Sequence, residues 1–410
     1  MMNILVFNCG SSSLKYRVIA MPSEVQRAGG EAQRVGPPTA EPSRIVYHIG
    51  DVNGTHYVEM RDQATAFEQV MALLAKHPEL KPDVVAHRMV HGGTRFERYA
   101  LVNEEVIADL DAVADLAPLH NPPATGLVKA CRARYPDLPQ IVVFDTAYHS
   151  TIPDYARTYA IPRWMTTDMG IRKYGFHGTS HQYVATEAAK FLGRPMSEFN
   201  AVSCHLGSGG ASLCAIVKGR SVDNTMGYSP LQGLIMSTRC GDLDPALTLR
   251  LLAQYNGDCK SVERVLNKES GVLGMSGVSA DISDILAGIA QGKGQFPKMD
   301  LTAQIYLWRI RKYLGAYMAA VGYADAVIFT DTIGEKVAPV RWAVCADMET
   351  FGLSIDPERN RNPSEPPVDV ATESSPVRIL VVQTNEELAI ARDAYSLLSR
   401  AGSFREHALA

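Results

Sequence analysis

The chain is short of several things at once. Its seven cysteines (Cys9, Cys131, Cys204, Cys214, Cys240, Cys259 and Cys345) are scattered through 410 residues, odd in number and without any CxxC or CxxxC spacing. That pattern suits reduced thiols in a cytoplasmic protein better than a disulfide framework or a zinc site. An excess of charge of one sign is missing too, since 40 basic against 44 acidic side chains leave a net charge of −4. Nucleic acid and anionic membranes are bound by clustered Lys and Arg, so neither is expected as a partner. Residues 314–329 form the most apolar stretch, but Asp325 interrupts it and it falls short of the ~20 residues of a membrane span. Met1-Met2-Asn3 leads straight into Ile4-Leu5-Val6-Phe7, too brief an apolar run for a signal peptide.

At ~150 residues per domain the length allows two or three domains, each able to bury its own core. Short apolar runs at 4–7, 84–86, 141–144, 201–204 and 326–329 predict buried strands, and helical spacing recurs over 104–116, 181–192, 245–255, 301–321 and 386–399. The class is α/β. Residues 22–44 and 358–376, rich in Gly, Pro or Asn, lack a sustained apolar period and read as surface loops. An internal echo is present. Residues 4–7 run into Asn8-Cys9-Gly10-Ser11-Ser12-Ser13 and a second apolar stretch. Residues 201–204 likewise run into Gly207-Ser208-Gly209-Gly210-Ala211-Ser212 and another, with Lys218-Gly219-Arg220 as a hairpin turn after it. A second echo pairs 142–146 with 327–332. Two such units predict a duplicated architecture whose polar turns face one cleft, with the helix from Glu386 returning to the first half.

Gly-Ser turns after strands expose N–H groups and hydroxyls that can cradle phosphate, although a lone turn of this kind is as readily an ordinary hairpin. The standard nucleotide signatures are absent: no GxxxxGK[ST] occurs, and Gly207-Ser208-Gly209 leads into a strand where a dinucleotide fingerprint must open a helix. Histidines 87, 91, 120, 149, 177, 181 and 205 sit beside Gly, Asn, Ser or Arg in turn-like contexts. His177 and His181 have zinc-ligand spacing, yet Gly178 disfavours a helix there and no third ligand is evident, so neutral donors to phosphate fit better. Arg88 and Arg239 lie on glycine-rich turns from which a guanidinium can reach a phosphoryl or carboxylate group bidentately. Asp145 ends a hydrophobic strand, and Glu386 opens the last helix. Magnesium needs only one or two such carboxylates.

These residues stand in motifs that together resemble the acetate kinases, within the superfamily of acetate and sugar kinases, heat-shock ATPases and actin. The motifs are Asn8 to Lys15, His87-Arg88-Met89-Val90-His91-Gly92-Gly93, Pro118-Leu119-His120-Asn121-Pro122-Pro123, Phe144-Asp145-Thr146-Ala147 and Tyr174 to His181. Ser229-Pro230-Leu231-Gln232-Gly233, Thr238-Arg239-Cys240-Gly241-Asp242 and Asn385-Glu386-Glu387-Leu388 follow in family order. The resemblance implies a duplicated actin-like (ribonuclease H-like) fold, divided at 1–148 with 386–410 and at 149–385, with the site in the cleft between the halves. It implies reversible phosphoryl transfer between ATP and acetate, giving acetyl phosphate and ADP, with magnesium (or manganese) as cofactor, in a cytoplasmic homodimer. By family analogy Arg88 and Arg239 hold acetate and the migrating phosphoryl group, with Asp145 among the catalytic residues, and His177 donates a hydrogen bond to that group. Ser11, Ser13, Lys15, His120 and His205 line the phosphate path, and Asn8, Asp145 and Glu386 position the metal. Val90, Leu119, Phe176 and Pro230 match the pocket for the methyl group. Gly207, Ser208, Gly209, Asp281, Ile282, Ser283, Thr332, Ile333 and Gly334 match the nucleotide side.

The donor side departs from the family. Thr330-Asp331-Thr332-Ile333-Gly334-Glu335-Lys336 has side chains where Ala-Gly or Gly-Gly is usual, Ser283 stands where many members have arginine, and the loop from His205 has Ser208 for the usual Asn and one extra residue. The plainer expectation keeps ATP as donor. The alternatives are a short-chain acyl kinase using another donor, pyrophosphate being the most economical, and a non-catalytic nucleotide-binding actin-like module.

Overall fold

The computed structural model describes residues 1–10, 12–36, 41–118, 120–292 and 296–407, so Ser11 and Leu119 lie outside the described residues. The chain divides into two compact units, Met1–Ala147 with Asn385–Ala410, and Tyr148–Thr384.

In the first unit β1 (Met2–Cys9), β2 (Ser13–Met21), β3 (Val25–Gln33), β4 (Arg44–Ile49), β5 (Val52–Tyr57), β6 (Val84–Met89), β7 (Ala100–Leu101) and β8 (Gln140–Phe144) form one sheet. Its order is β5-β4-β3-β2-β1-β6-β8-β7. The strands from β1 to β5 are antiparallel, while β6 and β8 run parallel to β1. Alternate residues of β1 enter different cores. Leu5 and Phe7 pack with Phe67, Val70, Leu127 and Val128 from the helices Gln63–Leu74 and Asn121–Arg134. Ile4 and Val6 pack with Ile390, Ala391 and Ala394 of the helix Glu386–His407. A strand covered on both faces has no polar side, which is why residues 4–7 read as an unbroken apolar run. Phe7 is 1% exposed, so truncating it to alanine costs about 3–5 kcal/mol.

The second unit repeats the plan with β9 (Ala201–Leu206), β10 (Ala211–Val217), β11 (Arg220–Asn224), β12 (Ala326–Thr330), β13 (Val368–Asp369) and β14 (Arg378–Val381), ordered β11-β10-β9-β12-β14-β13. The five-strand series β3-β2-β1-β6-β8 recurs as β11-β10-β9-β12-β14 with the same strand directions. Val184, Ala185, Ala188 and Ala189 of the helix Gly178–Phe191 pack on one face, against Ala201, Ile216, Ile328 and Leu380. The turn between β10 and β11 places Lys218 and Gly219 at φ 51° and 70°. Two successive left-handed residues make the tight turn whose twist matches an antiparallel pair.

Three expectations need correction. Residues 22–44 contain β3 and are not one loop. Ala28 and Ala32 supply the buried side of β3, and a Cβ on Gly30 would lie 2.3 Å from the Val46 carbonyl, so the strand lacks the large apolar alternation that marks one. Residues 358–376 contain β13 and most of a short helix, Pro357–Arg361. The second echo joins strands that are not equivalent: by sheet position β12 answers to β6, and β8 answers to β14. No helix among the described residues is long and apolar enough to cross a membrane.

Candidate active site

In the first unit the ends of parallel strands bring four residues together. Arg88 is the penultimate residue of β6, and Asp145 directly follows β8. The Arg88 guanidinium donates through Nε to Asp145 Oδ1 at 2.9 Å and through Nη2 to Asp145 Oδ2 at 2.6 Å. Its Nη1 donates to Asn8 Oδ1 on β1 at 3.0 Å, and Glu386 Oε2 lies 3.7 Å from Nη2. Asp145 is 2% exposed, and its backbone N–H donates to the Met89 carbonyl, which fixes the side chain over the sheet end. Burial opposes the Arg88 charge, but Asp145 first, then Glu386 and Glu387, hold the guanidinium pKa above its ordinary value. The fork is therefore fully charged, planar and already oriented, which is what recognition of a carboxylate or phosphoryl group requires.

Lys15 is exposed on β2 directly opposite Asn8, and Ser13 begins the same strand. The turn before it is closed by Gly10 N–H donating to Ser13 O, and Gln63 Nε2 donates to Gly10 O at 2.8 Å. His120 precedes the helix Asn121–Arg134, and Val90 is half-buried just after β6.

The second unit assembles its own set. His177 precedes the helix Gly178–Phe191 at φ 58° and bonds through Nδ1 to Ser212 Oγ on β10 at 2.9 Å. The rings of His177 and His205 lie 4.2 Å apart. A Cβ on Gly210 would lie 3.4 Å from His177 Nε2 and 3.7 Å from Arg239 Nη1, so this glycine faces the two side chains the sequence singled out. Arg239 donates to the Pro230 carbonyl at 3.3 Å, and burial pulls its pKa below the usual value. Phe176 is buried, with its carbonyl accepting from His149 Nε2.

The unusual donor-side residues close over the glycine loop. Asp331 takes φ 65°, a left-handed conformation, and its Oδ2 lies 3.1 Å from His205 Nε2. A Cβ on Gly207 would come within 2.1 Å of that same oxygen. Thr332 Oγ1 accepts from the Ser208 N–H at 3.0 Å. A carboxylate and a hydroxyl thus already engage two groups the sequence assigns to phosphate. Ser208 and Gly209 remain exposed. Asp281 spends its carboxylate as a cap, accepting from Ser283 N–H at 2.7 Å ahead of the helix Ile282–Ala290. Ile333 is buried, and the Gly334 carbonyl accepts from Arg341 Nη1 at 2.9 Å.

Four histidines outside the expected phosphate path serve the interior. His87 is buried beside Gln140, His91 Nδ1 accepts from Gly93 N–H, and His149 bonds to Ser221. His181 is buried between Ser203 and Ser212. Among the described residues, no three His, Cys, Asp or Glu side chains are grouped to hold a metal ion. Sequence reasoning missed Gln63, Ser203, Ser212 and Arg341. The signal for the two serines was polar residues at alternate positions of β9 and β10, with Ser212 paired to His205 across the ladder.

Comparisons with known proteins follow the same line. The profile of the Acetokinase family matches residues 3–392. The chain is 42% identical to the acetate kinase of Dictyoglomus thermophilum, over 97% of this chain and 100% of that one. Its structure is similar to that of the Porphyromonas gingivalis acetate kinase, with a TM-score of 0.89 and 36% identity over 97% of this chain and 100% of that one. A propionate kinase from Francisella tularensis matches at a TM-score of 0.88 and 35% identity, over 96% and 99%. The repeated fold and these likenesses define a phosphotransferase with a carboxyl group as acceptor. The chain belongs to the acetokinase family. A non-catalytic nucleotide-binding module is thereby set aside.

Proposed function

We propose that this enzyme transfers a phosphoryl group reversibly from ATP to acetate, giving acetyl phosphate and ADP. The observation that carries the reading is the Arg88 fork, held in plane by Asp145 and Asn8 at the ends of three adjacent strands. Acetate is ionised at neutral pH, so the attacking oxygen needs no general base. The reaction needs positioning, and compensation of charge on the equatorial oxygens of a loose transition state. Arg88 and Arg239 supply that charge, and His177 supplies a hydrogen bond. Ser13, Lys15, His120, His205 and the Gly207–Gly210 turn serve the phosphate path. Val90, Phe176 and Pro230 take the methyl group. An extra methylene in such a pocket alters binding by only ~1–3 kcal/mol, so propionate is expected as a slower substrate.

Asn8, Asp145 and Glu386 offer only oxygen donors, two of them carboxylates, all converging on one guanidinium. That donor set suits a hard cation, so these residues would hold magnesium, or manganese in its place. Bound there, the ion would neutralise charge on the transferring group. Family resemblance further supports a cytoplasmic homodimer, which sedimentation of the purified enzyme tests.

The position of Asp331 favours a second reading for the donor alone. Asp331 and Thr332 put side chains where the nucleotide loop is usually glycine, which works against a nucleoside there, whereas pyrophosphate needs only the phosphate-binding half. Acetyl phosphate formation measured in parallel with ATP, GTP and pyrophosphate tests both. Saturable turnover with ATP supports the first reading, turnover with pyrophosphate alone supports the second, and no acetyl phosphate from any donor overturns the function.

A further inference from the structure

His177 belongs to a hydrogen-bonded chain that the reaction does not touch. Its Nδ1 lies 2.9 Å from Ser212 Oγ, and the same oxygen lies 2.8 Å from His181 Nε2. His181 Nδ1 lies 2.9 Å from Ser203 Oγ. Ser203, His181 and Ser212 are all fully buried, so no solvent completes any of these bonds. Desolvation first, then the neighbouring His149 and His205, hold the His181 pKa well below the ordinary histidine value, leaving a neutral ring with a single N–H.

Each hydroxyl carries one proton and a neutral imidazole carries one N–H, so the bonds of this chain must all point the same way. In one direction Ser203 donates to His181 Nδ1, His181 Nε2–H donates to Ser212, and Ser212 donates to His177 Nδ1. The His177 proton then sits on Nε2, on the ring edge beside Gly210. In the other direction His177 Nδ1–H donates to Ser212, Ser212 donates to His181, and His181 donates to Ser203. The Ser203 hydroxyl proton would then need an acceptor elsewhere, and Ser203 has no other side-chain hydrogen bond among the described residues. A buried O–H left unpaired carries a desolvation cost that the first direction avoids. Protonating His177 on both nitrogens strands the Ser212 proton in the same way.

We propose that Ser203, His181 and Ser212 form a relay that fixes His177 as the Nε2–H tautomer. The three are positioning residues: they touch neither substrate, and they act by deciding which nitrogen of His177 faces the site as a donor. The consequence for turnover rests on the reading above, in which His177 donates to the migrating phosphoryl group. The tautomer itself does not.

Long-range proton–nitrogen correlation spectra of the full-length protein labelled with 15N-histidine distinguish the two tautomers directly. In the unsubstituted protein His177 is expected to show a protonated Nε2 and an unprotonated Nδ1. Ser203→Ala removes the donor that sets the direction, two side chains away from His177, and should convert His177 to a mixture of tautomers. Ser212→Ala should do the same, and Ser212→Thr should restore the single form. In both alanine variants kcat is expected to fall roughly two- to tenfold with KM for acetate unmoved, the pattern of an interaction made in the transition state. An Nδ1–H signature in the unsubstituted protein, or a His177 tautomer indifferent to Ser203→Ala in a protein with a native spectrum, overturns the relay. A tautomer shift without any change in kcat upholds the relay and refutes instead the contact between His177 and the phosphoryl group.

Discussion

Replacing Asp331 by asparagine should strengthen binding of the phosphoryl donor. The carboxylate lies 3.1 Å from His205 Nε2 and close enough to the loop that a Cβ on Gly207 would approach it to 2.1 Å. A donor phosphate seated on that loop meets a negative charge and must also take His205 from it. Two unit charges ~4 Å apart interact by about 4 kcal/mol at an effective dielectric of ~20. The Asp331 side chain is 28% exposed, and solvent screening reduces the repulsion to about 1–2 kcal/mol. A change of about 1.4 kcal/mol is tenfold in binding, so KM for ATP should drop roughly tenfold in Asp331→Asn. Asparagine tolerates the left-handed backbone that Asp331 adopts, so the turn survives. Steady-state rates with ATP varied at saturating acetate, then acetate varied at saturating ATP, give the comparison. Acetate KM should not move. An unchanged KM for ATP would refute the repulsion, and a raised one would show that the carboxylate helps to hold the donor.

Arg239→Ala should reduce kcat by roughly 10²–10³, the usual loss for a charge aimed at a transition state. Its melting temperature should stay close to that of the parent, because the Arg239 guanidinium donates to the Pro230 carbonyl and the Met236 sulfur and pairs with no carboxylate among the described residues. Asp145→Ala should destabilise the first unit by about 3 kcal/mol, because it strands the Arg88 guanidinium without its bidentate partner. Urea denaturation should show much of that loss recovered when Arg88 is also replaced by methionine. Acid should weaken the fold already in the range where an exposed histidine titrates. Burial pulls the His87 pKa from 6.5 to about 4, against a small opposing effect of the Gln140 bond, so the unfolded chain takes up a proton that the native chain refuses. Stability is then complete above pH 6.5 and drains as pH falls toward 4, by up to roughly 3 kcal/mol for this group. Melting temperatures across that range should fall less steeply in His87→Leu than in the parent.

Much of the fold was legible because it rests on strands buried on both faces. Residues 4–7 and 326–329 lie at the centres of the two sheets, where neither face meets water, and their apolar runs needed no period to reveal them. β3 was hidden for the opposite reason. Its buried positions are Ala28 and Ala32, and Gly30 is held small by the Val46 carbonyl, so packing was secured by the absence of side chains. The second echo misled because any parallel strand at a sheet centre is an apolar run ending in a polar turn. Position in the sheet, which makes β12 the counterpart of β6, is set by pairings remote in sequence.

The site divides along a related line. Arg88, Asp145, Asn8 and Glu386, which the sequence nominated, gather because each lies at or next to the end of an element. The histidines could not be sorted in that way. His177 and His181 stand in one motif four residues apart, yet one sets its ring edge beside Gly210 while the other is sealed between two serines. What separates them is the β9–β10 ladder, in which Ser212 faces His205, and Cys214 faces Ser203. That register lifts a serine to each histidine from below, and no local pattern around residue 181 records it. The polar residues that orient an active group come from strands chosen by hydrogen bonding between backbones, so a motif can identify the group at the surface of the site while leaving its supports unnamed.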